Sequence, residues 1–123
     1  MTVGLILVAH GARDPRWAEP FEQLRERVVR ASPSTPVALA YLEIMAPDVA
    51  AAAAALCDAG CRAITVVPLF LGQGSHVRKD LPLQLQRAAD RHPECDFRLA
   101  GAAGEVESVL DAMAAYCVSR VVA

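Results

Sequence analysis

Val3-Gly4-Leu5-Ile6-Leu7-Val8-Ala9 is a continuous apolar run, the pattern of a strand covered on both faces. Asp14-Pro15 then offers a helix cap followed by proline at the first helical position. Trp17, Phe21, Leu24 and Val28 repeat near the helical period, and Ser32-Pro33-Ser34-Thr35-Pro36 breaks the pattern. A second strand is predicted from Val37 to about Glu43, and Pro47-Asp48 leads into an alanine-rich helix that ends at Gly60. A third strand runs from Ala63 to Leu71, rich in β-branched residues. Gly72-Gln73-Gly74-Ser75-His76 reads as a loop, and Asp80-Leu81-Pro82 as the cap of a helix reaching about Arg91. Phe97-Arg98-Leu99-Ala100 is a short fourth strand. Val106, Val109, Leu110, Met113 and Cys117 then line one face of a last helix.

Strand, helix, strand recurs about every thirty residues, the period of parallel strands joined by right-handed crossovers. The expectation is one α/β domain over residues 1–123, a four-stranded, mostly parallel sheet with helices on both faces. In such sheets ligands bind outside the carboxyl ends of the strands, where the strand order reverses. Three segments fall at those ends: His10-Gly11-Ala12-Arg13-Asp14, Glu43-Ile44-Met45-Ala46-Pro47, and the stretch from Gly72 to Asp80 that holds His76.

Composition narrows the chemistry. Of 123 residues, 54% are hydrophobic, which excludes a disordered chain. Twelve basic against fourteen acidic side chains leave a net charge of −2, and aromatics are 5%. Neither gives a drive toward nucleic acid. No apolar run approaches the roughly 20 residues that cross a bilayer. The start carries no positive charge ahead of its apolar segment, so a secretory leader is not expected and the pattern fits a cytoplasmic protein. Cys57, Cys61, Cys95 and Cys117 form no CxxC pair and read as small buried thiols. His92, at a helix end, reads as a capping or solvated group.

Taken singly, a histidine at a strand end is a hydrogen-bonding group, Glu43 a partner for an arginine, and Arg13, Arg78 and Lys79 solvated charges. Together they describe a site. Two imidazoles suit divalent cobalt, iron, nickel or zinc, and they titrate near neutral pH. Glu43 adds a ligand or a proton acceptor, and the cations attract a polyanion. A loosely held transition metal, a proton acceptor and a seat for several carboxylates suit an acidic tetrapyrrole awaiting its metal.

The segments VAHGARDPR (Val8–Arg16), LE-x₃-P (Leu42, Glu43, Pro47) and PLFLGQGSHVRKDLP (Pro68–Pro82) resemble the short, single-domain sirohydrochlorin chelatases of cobalamin and sirohaem biosynthesis. The resemblance covers about residues 3–90. It implies a chelatase-like α/β fold and a lyase that inserts Co²⁺, or alternatively Fe²⁺ or Ni²⁺, into sirohydrochlorin with no organic cofactor. It implies His10 and His76 as metal ligands, and His10, His76 and Glu43 as the catalytic set. Arg13, Gln73, Ser75, Arg78 and Lys79 would face the substrate. Whether an imidazole or Glu43 takes the pyrrole protons stays open. Short members of the family are homodimers, each chain resembling half of a two-lobed chelatase. Ala12 stands where family members often carry serine, and residues 101–105 lack the polar markers of some relatives. Two alternatives use the same residues. One is a noncatalytic metal or tetrapyrrole carrier. The other is a histidine-type phosphohydrolase, for which His10-Gly11 fits but Ala9 stands in the arginine's place.

Overall fold

The computed structural model describes residues 2–121, apart from the side chain of His76. Four strands, β1 (Thr2–Ala9), β2 (Val37–Tyr41), β3 (Cys61–Pro68) and β4 (Asp96–Leu99), form one sheet in the order β2-β1-β3-β4. All three pairings are parallel. The crossovers carry helices α1 (Glu19–Ala31), α2 (Val49–Asp58) and α3 (Ser75–Arg91), and α4 (Glu107–Ser119) follows the last strand.

β1 is apolar from Val3 onward because it is central. Ile6 and Val8 point into one core layer with α2 and α3, where Val49, Leu56, Leu81 and Leu85 meet Ile64 and Val66. Leu7 and Ala9 point into the other, against Trp17, Phe21 and Val28 on the α1 side. Alanines 52 and 53 are buried and let α2 approach the sheet closely. At Gly4 even a methyl group would stand 2.9 Å from Cys61 Sγ and 3.2 Å from Leu56 Cδ1. Each fully buried Ile, Val or Leu contributes roughly 1.5–3 kcal/mol relative to exposure.

Several boundaries differ from those expected of the sequence. Asp14 does cap, accepting from Arg16 N–H at 2.9 Å, but it opens a 3-10 turn (Pro15–Ala18) that leads into α1. β2 ends at Tyr41 and not at Glu43, and β3 lies two to three residues earlier than its β-branched run suggests. The third helix begins at Ser75, and Pro82 lies inside it. Pro82 is on the exposed face, so the carbonyl it leaves without a helical donor faces water. Cys57, Cys61 and Cys95 are buried, whereas Cys117 is exposed. α4 buries no residue, and Val106, expected in its stripe, is its N-cap. Leu110, Met113, Tyr116 and Val118 are all exposed. Among the described residues no helix is long and apolar enough to cross a membrane.

Candidate functional site

The strand order reverses between β1 and β3. β1 leads to β2 on one side, and β3 then returns to the other flank of β1. His10 directly follows β1 at that reversal, where open α/β sheets bind their ligands.

Glu43 is brought to it by the main chain. Beyond the end of β2, Leu42 N–H donates to Ala9 O at 3.0 Å and Glu43 N–H to His10 O at 3.2 Å. Main-chain pairing thus extends two residues past the end of β2 and one past the end of β1. His10 Nε2 lies 3.5 Å from Glu43 Oε1, and the two side chains are 50% and 61% exposed. A ligand arriving from solvent reaches both. Gly11 makes the approach possible. Its φ is +106°, and a Cβ there would fall 2.0 Å from Glu43 O. Ile44 also sits in the left-handed region, at φ +68°, a conformation costing a β-branched residue about 1–3 kcal/mol. A hollow of about 500 Å³ lined by residues 42–48 and Ala51 adjoins Glu43.

From the β3 side, Leu69 N–H donates to Val8 O at 2.8 Å. Phe70 then sets its ring edge-on to the His10 imidazole, with centroids 5.9 Å apart. Gly104 N–H donates to Phe70 O at 2.8 Å. A Cβ at Gly104 would stand 2.1 Å from Leu71 O, so only glycine lets the 3-10 turn Ala103–Glu105 lie against this loop. Gln73 Nε2 donates to Glu105 Oε1 at 3.0 Å.

Ser75, His76, Arg78 and Lys79 occupy the first turn and a half of α3, not a loop. Their backbone starts from the carboxyl end of β3 and so belongs to the same edge as His10. The His76 side chain lies outside the described residues. Ser75, Arg78 and Lys79 are exposed, as is Arg13. α3 has no side-chain hydrogen bond at its N-cap, Gly74, which leaves its first N–H groups for an anion. In the loop after His10, Arg16 holds the Asp14 carboxyl below the usual carboxylate range.

Phe70, Gly104 and Glu105 complete this neighbourhood. Phe70 lies within the Pro68–Pro82 segment but is not among the expected site residues, and Gly104 and Glu105 belong to no motif. In sequence Phe70 is one more apolar residue of a strand end, and Gly104 is a loop glycine. Only their contacts single them out.

Chemically, the edge offers an imidazole and a carboxylate within reach of one incoming ion, with exposed cations on the flanking turns. The CbiX family model matches residues 4–118. The sirohydrochlorin cobaltochelatase of Sulfolobus acidocaldarius is 34% identical over 72% of this chain and 71% of its own length. That of Methanocaldococcus jannaschii is 33% identical over 72% of this chain, a match spanning 62% of the relative. Among solved structures, the CbiX protein of Marinobacter aquaeolei VT8, described as a cobalamin biosynthesis protein, superposes with a TM-score of 0.87 at 34% identity. It covers 97% of both chains. The sirohydrochlorin chelatase SirB of Bacillus subtilis subspecies spizizenii, solved in complex with cobalt, gives 0.79 at 28% identity, and 97% of this chain covers 51% of it. By sequence along nearly its whole length and by fold, the chain belongs to the CbiX family.

Proposed function

We propose that residues 1–123 act as one chelatase-like domain that inserts Co²⁺ into sirohydrochlorin. The observation that carries this reading is the His10–Glu43 pair, 3.5 Å apart at the sheet's switch point, in a chain whose relatives include sirohydrochlorin cobaltochelatases. Insertion exchanges two pyrrole protons for one divalent ion. The site must present the ion, accept protons and hold the macrocycle bent so that its lone pairs face the metal. In this reading His10 and His76 hold the ion, and Glu43 stands beside His10. A nitrogen bound to metal accepts no proton, so the acceptor is Glu43 or whichever imidazole is not ligated. Arg13, Arg78 and Lys79, with Ser75, Gln73 and the N–H groups of α3, receive the substrate carboxylates. Few ligands with open positions let the ion leave again.

The assay is the visible spectrum of sirohydrochlorin with Co²⁺ and catalytic amounts of protein, repeated with Fe²⁺ and Ni²⁺. Many turnovers with cobalt fastest is the expected result. Faster iron, as in the sirohydrochlorin ferrochelatase of Priestia megaterium, which is 24% identical, reassigns the metal. Stoichiometric binding without turnover makes the protein a carrier instead. A cytoplasmic location goes with this reading.

The working form is a homodimer. The chain matches about half of SirB, and α4 presents Leu110, Met113 and Tyr116 to solvent. A second copy covers that stripe and closes a broad, flat ligand on its open side. Sedimentation at micromolar concentration should give about twice the 13.1 kDa of one chain; a species of single-chain mass removes the dimer from the proposal.

A further inference from the structure

The opposite, amino-terminal edge of the sheet carries a second group of donors. There α2 ends, β3 begins and α3 passes to β4. Cys57 Sγ, a ring nitrogen of His92 and a carboxylate oxygen of Glu94 all lie within 4.8 Å of one another. His92 Nδ1 is 3.8 Å from Glu94 Oε1, too long for a hydrogen bond. It is close to the roughly 3.3–3.7 Å that separates ligand atoms on a tetrahedral zinc-type ion. We propose that Cys57, His92 and Glu94 form a second metal site for a borderline divalent ion of the Zn²⁺ or Co²⁺ type.

The backbone fixes all three positions. Gly60 N–H donates to Cys57 O at 3.0 Å as α2 closes, and Arg62 Nη1 donates to the same carbonyl at 3.3 Å. Cys95 N–H donates to His92 O at 2.9 Å, a tight turn through Pro93 that places Glu94 at its tip. Burial falls outward along the trio. Cys57 is 5% exposed, and the His92 and Glu94 side chains are 21% and 47% exposed. An ion therefore enters past the carboxylate and reaches the sulfur last. Thiolate, imidazole and carboxylate together favour zinc-like ions over magnesium or calcium. Three protein ligands leave a fourth position for water.

Burial, reinforced by the neighbouring Cys95, pushes the Cys57 thiol up to about 12. Without metal it is a thiol, and binding converts R–SH and M²⁺ into M–SR with one proton released to solvent. Cys95 Sγ lies 2.7 Å from Cys57 Sγ, 3.2 Å from Cys61 O and 3.9 Å from Glu94 Oε1, so a second thiol borders the proposed site. The inference does not rest on the chelatase reading, since His10 and Glu43 lie at the other end of the strands.

Cobalt itself is the probe, because only a thiolate ligand gives a sulfur-to-cobalt charge-transfer band in the near ultraviolet. Reduced protein carrying Cys117→Ser, which removes the exposed thiol, is titrated with Co²⁺. The expected result is a band that saturates at one ion per chain and is lost in Cys57→Ser. Affinity should weaken at least about tenfold in His92→Ala and in Glu94→Gln, both partly exposed positions. The band should persist in His10→Ala, while metallation should persist in His92→Ala, so the two sites fail separately. The site is refuted by absence of the band, by its survival in Cys57→Ser, or by undiminished affinity in both surface variants. Finding Cys57 and Cys95 joined in a disulfide in the metal-free protein as purified, before any reductant is added, refutes it equally.

Discussion

His10→Ala is expected to lower the rate of cobalt insertion by roughly 10²–10⁴-fold, the range for loss of a positioned proton-transfer group, with stability nearly unchanged. His10 is half exposed, so its removal opens no cavity. What is lost locally is the edge contact with Phe70 and the approach to Glu43, and exposed changes of this kind stay within about 0.5 kcal/mol. The two readouts separate function from fold. A variant with wild-type thermal midpoint and almost no metallation is the expected outcome, followed by the absorbance change of sirohydrochlorin under multiple turnover. Glu43→Gln keeps the shape and removes the charge, so it should bind the macrocycle and metallate it more slowly. Wild-type rates in His10→Ala would move the chemistry away from this edge.

Gly11→Ala is expected to damage both stability and activity. The added methyl would fall 2.0 Å from Glu43 O, a backbone atom that cannot swing aside, and φ at +106° is itself unfavourable for an L side chain. Relief requires the turn after β1 and the extension of β2 to part, which breaks the Glu43 N–H to His10 O bond. The cost should be about 2–4 kcal/mol, a fall in thermal midpoint on the order of 10 °C. Metallation should fall with it, even at temperatures where the variant is folded. Gly72→Ala is the control. Gly72 has open space around it and no positive φ, so alanine there should leave the midpoint within a degree or two. A stable, active Gly11→Ala would show that the close approach is not what fixes the pair.

The sheet and its functional edge are legible in the sequence because each rests on a strong local signal. From Val3 to Ala9 β1 is apolar because both faces of its later part are covered, and the spacing of the βα units fixes parallel pairing. His10, Glu43 and the segment around His76 follow strand ends, so topology alone brings their backbones to one edge. Pro82 masks the start of α3 in the sequence, since proline usually marks a first turn. Here it is tolerated inside the helix because its face looks to solvent. The stripe on α4 is real, but periodicity states only that a face is apolar and not what covers it. Contacts between loops, such as Phe70 on His10 or Gln73 on Glu105, arise from tertiary placement and leave no periodic trace. The same holds for His92, which reads as a solvated helix end until the fold sets it beside Cys57.

Glu43 reaches His10 through its own N–H and that of Leu42, both donating to carbonyls of the first strand's end. Position 43 is therefore addressed by the backbone, and its side chain is a replaceable fitting. Exchanging that fitting for a softer or harder donor alters what the edge prefers to hold while the address persists. Metal preference can then diverge by single substitutions within one scaffold, with no need to rebuild the strands that support it.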